Sequence, residues 1–330
     1  MKTWHWLEGV PVVGALTGRS TVHSSISHRR FQAGMLLLVL MTPLVLAGLW
    51  HLAHRYDNAM PATIQIAGGL EGGVYNDVSS KIAQRIAAKY PVKVDVQPTG
   101  GSFDNRTQLV AGHVQMAPLQ ASAISGDDLC VVAPLFYEAV HVLVRHDSTI
   151  QSVEHLGGRQ VAIGPPGSGS RRTAELVFDS LTLQPPIVPR EVATWSALES
   201  DDPPESAVIC IGRGSRLVSR LLSSGKWRLV PIPSAIQIAL QHPTLRPMNI
   251  AADQYVDAQL PATGIATIGT TAFLAARNDA PGEMIEAALE ALYAPPTIFP
   301  SLIPRHRAAE WQGLAFHPVA RRFFQAAPDH

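Results

Sequence analysis

From Thr63 onward, hydrophobic and polar positions follow two alternating periods. The short β-rich runs Thr63–Ala67 and Val92–Val96 place apolar side chains at every second position, as half-buried strands do. Between them, Val78, Ile82 and Ile86 recur at helical spacing with Ala83 and Ala87 and predict one apolar helix face. A third strand, Val114–Leu119, follows a helix expected around Asp104–Ala111, and Ala139–Arg145 reads as a strand crossing into a second series. There Leu156-Gly157-Gly158 turns into a strand at Gln160–Ile163, and a helix is predicted from Ser170 to Leu181. Asp201–Glu205 is a surface loop, Val208–Ile211 a buried strand, and Gly264–Ala275 a return strand rich in Thr and Ile. The tail from Pro281 is helical, broken by Pro295, Pro296, Pro300 and Pro304. Strands alternating with helices predict an α/β fold whose parallel sheets are flanked by helices.

Ahead of this region, Ala33–Trp50 runs for 18 residues without a charge. At about 1.5 Å rise per residue it nearly matches a hydrocarbon core of about 30 Å. Pro43 lies within it, where a membrane helix tolerates a kink. Lys2, Arg19, Arg29 and Arg30 precede the segment and only Arg55 follows closely, so the positive-inside rule puts the N-terminus in the cytoplasm and the rest outside. The long stretch before the apolar run and the lack of an Ala-x-Ala site favour an uncleaved anchor over a signal peptide. Residues 1–30 read as a disordered cytoplasmic tail and 31–54 as the transmembrane anchor.

Composition narrows the function classes. Lys plus Arg and Asp plus Glu are both 26, so the formal net charge is zero, and no basic cluster suggests nucleic acid as a partner. Cys130 and Cys210 are the only cysteines, and each sits in an apolar run that reads as a buried strand. They read as two separate structural thiols, too few for a disulfide framework or a metal site. The 13 histidines are scattered, with no His-Glu-x-x-His pattern. No metal or cofactor is expected.

The candidate chemistry lies in glycine-rich loops between a strand and a helix. The first is Gly68-Gly69-Leu70-Glu71-Gly72-Gly73-Val74-Tyr75, the second Thr99-Gly100-Gly101-Ser102-Phe103-Asp104-Asn105, and the third Gly164-Pro165-Pro166-Gly167-Ser168-Gly169-Ser170-Arg171. Glycine lets the backbone approach a ligand closely, and the helix that follows directs free N–H groups and its positive dipole end at an anion. Ser102 is an N-cap candidate, and Arg171 adds a guanidinium suited to a carboxylate. In open α/β sheets, ligands sit beyond the carboxyl ends of strands, where these loops fall. Sharper motifs fail. Ser170 stands where a P-loop needs Lys, Leu217 stands at the third glycine of a dinucleotide fingerprint begun by Gly212-Arg213-Gly214, and no Gly-x-Ser-x-Gly elbow is present.

Gly-Gly-Val-Tyr (72–75), Thr-Gly-Gly-Ser-Phe-Asp-Asn (99–105), Tyr-Glu-Ala-Val-His (137–141), Gly-Pro-Pro-Gly-Ser-Gly-Ser (164–170) and Phe316-His317-Pro318 occur in this order. The set resembles the TAXI family of TRAP-transporter solute receptors over about residues 62–325. The resemblance implies a type II periplasmic-binding-protein fold, with lobe I formed by 60–145 and 265–330, lobe II by 146–264, and a hinge between them. It also implies delivery of solute to a membrane permease. Carried over, the pocket holds Gly73, Tyr75, Gly101, Ser102, Asn105, Gln120, Ser168, Gly169 and Ser170, with Arg171 beside them. The chain departs from the family pattern at Ser122, Ser206-Ala207 and Val319.

The expectation is therefore an inner-membrane protein, anchored through residues 33–50, whose periplasmic domain captures a small organic anion, a carboxylate or amino acid, for TRAP permease subunits. A sensor passing an occupancy signal to a membrane partner is the alternative. An enzyme is disfavoured because no nucleophile–base pair or metal set is evident.

Overall fold

The computed structural model describes residues 21–326 except 259, 312 and 313. The chain divides into two units, 1–57 and 58–330. The described part of the first unit is the helix α1 (Thr21–Asn58), within which Arg30–Leu52 is long and apolar enough to cross a membrane. Its Leu and Val side chains from Leu36 to Leu46 are exposed, as a lipid-facing helix requires, and Pro43 lies inside it. The helix begins ten residues before the expected anchor, so 21–30 belong to it, and the part of the expected tail at 1–20 lies outside the described residues.

The second unit alternates β1 (Thr63–Gly69), α2 (Val74–Lys89), β2 (Lys93–Pro98), α3 (Ser102–Val110), β3 (Met116–Gln120) and a long β4 (Leu129–Arg145). It continues with β5 (Gln160–Ala162), α4 (Gly169–Leu181), β6 (Val188–Arg190), β7 (Ser206–Gly212), α5 (Arg216–Ser223), β8 (Trp227–Val230), α6 (Ala235–Gln241) and β9 (Arg246–Ile250). A second long strand, β10 (Ile265–Arg277), leads to α7 (Gly282–Tyr293) and α8 (Pro318–Gln325). One mixed sheet runs β2-β1-β3-β10-β4-β7-β5-β6, with β8 on β4 and β9 on β10.

The expected face of α2 is the one that is buried: Val78, Ile82, Ala83 and Ile86 pack inward. Burying an Ile side chain stabilises by about 1.5–3 kcal/mol, so this stripe fixes the helix on the sheet. The core changes hands along the two long strands. Leu129–Phe136 of β4 and Ala272–Ala276 of β10 pack with α2, α3 and α7, whereas Ala139–Val144 and Ile265–Ile268 pack with α4, α5 and α6. Two α/β lobes joined by paired crossing strands form the periplasmic-binding-protein architecture, as the family resemblance implies. The crossing falls at Glu138, paired with Thr270, inside the two long strands. Cys130 and Cys210 are buried free thiols.

Candidate functional site

The second and third glycine loops meet face to face. Gly101 opens α3 at φ +120°, a conformation that favours glycine, and a Cβ there would lie 3.2 Å from Ser168 Cα. Phe103 and Asp104 donate their backbone N–H groups to the Gly167 carbonyl at 3.0 and 3.3 Å. The amides at the start of α3 that the sequence reserves for an anion are therefore engaged by the opposite lobe. Ser102 Oγ accepts from the Gln120 N–H at 2.7 Å, and Asn105 Nδ2 donates to the Pro118 carbonyl at 2.8 Å while its Oδ1 accepts from Thr99.

On the facing side, Ser168 caps α4 by accepting from the Arg171 N–H at 3.1 Å, and Ser170 Oγ accepts from the Cys210 N–H at 2.8 Å. Gly169 stands directly against Gln120 and Ser102. The structure thus brings Gly101, Ser102, Gln120, Ser168 and Gly169 together as a contact between lobes, with Asn105 fixing the loop from behind and Ser170 bonded within its own lobe. Arg171 departs from the expected arrangement. Its Nε bonds Glu175 at 3.1 Å and its Nη1 bonds Glu191 at 2.7 Å, so two carboxylates at the rim of its own lobe hold the guanidinium.

Behind this contact is a buried polar node. Gln120 Nε2 donates to Glu138 Oε2 at 2.7 Å, Tyr75 Oη donates to the same oxygen at 3.3 Å, and Thr173 Oγ1 donates to Gln120 Oε1 at 3.1 Å. Burial pushes the Glu138 carboxyl up to about 7, against the opposing effect of the bonds from Gln120 and Tyr75. The hydroxyl of Tyr75 is raised as well, chiefly by its own burial.

The open space lies elsewhere. A cavity of about 970 Å³ is bounded by Leu70–Val74 and Asp77 on one side and by Gly212–Leu217 and Arg220 on the other. Phe136 and Ile211 contribute apolar surface, and the short 3₁₀ helix Trp195–Glu199 contributes Trp195 and Glu199. Two helices begin at this cavity, α2 after Gly73 and α5 after Ser215, and neither has a side-chain cap. Their first amides point their free hydrogens, and the positive ends of their dipoles, toward the space. Arg220 is engaged by Glu199 at 2.9 Å, whereas neither Arg213 nor Arg216 has a carboxylate within ion-pair distance among the described residues. The wall thus carries Arg213, Arg216 and Arg220 together with Glu71, Asp77 and Glu199, beside two uncapped helix starts.

Of the ten residues singled out from the sequence, only Gly73 lines this cavity. Tyr75 follows Val74 of the wall without lining the cavity, and its ring lies against Phe136 at 6.1 Å between centroids. The loop Gly212-Arg213-Gly214, which the sequence marks only as a failed dinucleotide fingerprint, contributes to the wall. It carries the same strand, glycine, helix succession as the other three loops, with an Arg included. Glu138 lies within the Tyr-Glu-Ala-Val-His motif, and a carboxylate inside the apolar run Leu135–Val144 is its signal in the sequence.

Among solved structures, the chain is similar to a periplasmic transporter at 16% identity, over 81% of this chain and 93% of that one, with a TM-score of 0.48. It is similar to the periplasmic aliphatic sulphonate binding protein SsuA from Escherichia coli at 17% identity, over 70% and 72% of the two chains, with a TM-score of 0.44. It also resembles the substrate binding protein of an amino acid ABC transporter at 11% identity, over 70% and 91%, with a TM-score of 0.45. A family model matches residues 66–325, from β1 to the end of α8, and the chain belongs to the NMT1-like family.

Proposed function

We propose that the chain is an extracytoplasmic solute-binding protein, anchored in the inner membrane by the helix around residues 33–50, that captures a small organic anion and delivers it to the membrane subunits of a TRAP-type transporter. The observation that carries the reading is the cavity between the Leu70–Val74 and Gly212–Leu217 loops, where Arg213, Arg216 and the starts of α2 and α5 face the same space. Each charge-assisted hydrogen bond to a bound carboxylate contributes about 1.5–3 kcal/mol, and amides already oriented by a helix need no reordering. The acidic Glu71 and Asp77 on the opposite wall suit a solute that also carries an ammonium or hydroxyl, as an amino acid does. The ordered motifs shared with TAXI receptors support the TRAP assignment over other transporter classes.

In this reading no bond is made or broken. Solute docks on one lobe, and the other closes over it because the closed form binds it better. Gly73 and Tyr75 shape the first loop, Gly101, Ser102, Gln120, Ser168 and Gly169 form the surface on which the lobes meet, and Asn105 and Ser170 brace it from either side. The test is mass spectrometry of small molecules released from the purified protein, followed by thermal-shift titration with the compounds found. A solute at 100 times its Kd stabilises the protein by about 2.7 kcal/mol. Recovery of no small molecule, with no shift across carboxylates, amino acids and sulfonates, overturns the reading.

A further inference from the structure

Glu138 lies where β4 passes from one lobe's core to the other's, and it is 4% exposed. Among the described residues the groups around it are uncharged: Tyr75 from α2 and Gln120 from β3 bond it directly, while Cys210 from β7 and Thr173 from α4 bond Gln120. Its ladder partners are Thr270 on β10 and Gly212 on β7. Among the described residues no Lys, Arg or His bonds to this node. Both hydrogen bonds to the carboxyl fall on Oε2, and no described group donates to Oε1.

A buried carboxyl without a countercharge disfavours its ionised form. A proton on Oε1 removes the charge and leaves Oε2 free to accept from both Tyr75 and Gln120. The two donors lead in different directions. Tyr75 stands at the start of α2 beside the cavity loop, and Gln120 is the side chain on which Gly169 and Thr173 of α4 rest. The charge state of one carboxyl thus bears on both lobes.

We propose that Glu138 is a positioning residue for the cleft, holding Tyr75 and Gln120 in the joined-lobe arrangement while its carboxyl is protonated, so that joining the lobes takes up a proton. Its consequence for solute capture rests on the solute-binding reading; the proton linkage of the joined lobes does not. Burial places this carboxyl at about 7 in the fold, against 4.5 for a free one. Its contribution is present in full below 4.5 and is lost as pH rises through about 7, beyond which no further loss occurs.

The test uses the full chain in detergent micelles, with no solute added. Thermal midpoints are measured from pH 4 to 8 for the wild type and for E138Q, which keeps the neutral form at every pH. In parallel, the carboxylic-acid C=O band is followed by infrared spectroscopy with ¹³C-labelled Glu. The expected result is a band titrating near pH 7 that E138Q lacks, and a fall in midpoint between pH 4.5 and 7 in the wild type relative to E138Q. If E138Q does not fold, Y75F replaces it. Removing a bond that favours the ionised form should move the titration upward. A Glu band titrating only at ordinary carboxylate pH, or identical pH profiles in wild type and E138Q, overturns the proposal. Because no solute enters the test, a protein that binds nothing leaves this result intact, and the two readings fail separately.

Discussion

Gly169 and Gln120 are in contact so close that a Cβ added to the glycine would stand 2.4 Å from Gln120 Oε1 and 2.9 Å from Ser102 Cβ. Gln120 cannot simply swing aside, because its amide is held at one end by Glu138 and at the other by Thr173. Gly169→Ala should therefore wedge the lobes apart or overpack the contact, at about 1–3 kcal/mol. A lower thermal midpoint together with a larger radius of gyration in small-angle scattering is the expected outcome. A variant with unchanged compaction and stability would mean that this contact does not hold the lobes together.

The guanidiniums divide into engaged and free, and that division ranks their substitutions. Arg213→Ala removes an unpaired charge from the cavity wall and should weaken anion binding by about 1.5–3 kcal/mol, or roughly 10- to 100-fold. Arg171→Ala breaks partly exposed pairs with Glu175 and Glu191, each worth about 0–1 kcal/mol to stability, and should leave affinity nearly unchanged. Titration of both variants with the solute recovered from the wild type decides the ranking. The reverse order would move the site to the third loop.

His141 is fully buried on β4, with its Nε2 2.8 Å from Tyr255 Oη, and desolvation lowers its imidazole to about 4. In the unfolded chain it titrates at the ordinary 6.5. The folded state therefore binds fewer protons between these values. The stability present above pH 6.5 is lost as pH falls toward 4, up to about 3 kcal/mol in total. Denaturant unfolding of the wild type and His141→Asn across this range should show a loss in the wild type that the variant lacks. An equal acid response in both would show that His141 is not the group responsible.

Much of the architecture was legible because burial writes itself into periodicity. The α2 stripe, the strands at Thr63 and Gln160, and the helix after Gly169 fall within a few residues of their expected places. The long strand β4 reads from sequence as two separate pieces, the apolar run around Cys130 and Ala139–Arg145. Pro134 and Glu138 interrupt the alternation, and nothing local reveals that β10 runs beside the whole of it. The site was less legible for a different reason. A glycine turn before a helix is equally good for meeting an anion or the other lobe, and only the tertiary arrangement decides between them. Thus Gly101 and Gly169 meet each other's lobes, while Arg213, in the loop without a recognised fingerprint, faces open space.

The N-terminal helix admits a sharp test because its apolar length leaves little to spare. Ala33–Trp50 spans roughly 27 Å at 1.5 Å per residue, close to the thickness of the hydrocarbon core. A charge at its centre costs about 2.5–3.5 kcal/mol on insertion scales. Leu40→Asp should therefore reduce insertion, with the protein lost from the carbonate-resistant membrane fraction and residues beyond 58 no longer accessible to protease in spheroplasts. In the wild type, an uncleaved anchor leaves the intact chain in that fraction, with Met1 or its neighbour at the N-terminus. A mature N-terminus beyond Trp50, with the protein released on osmotic shock, would make the same helix a signal peptide.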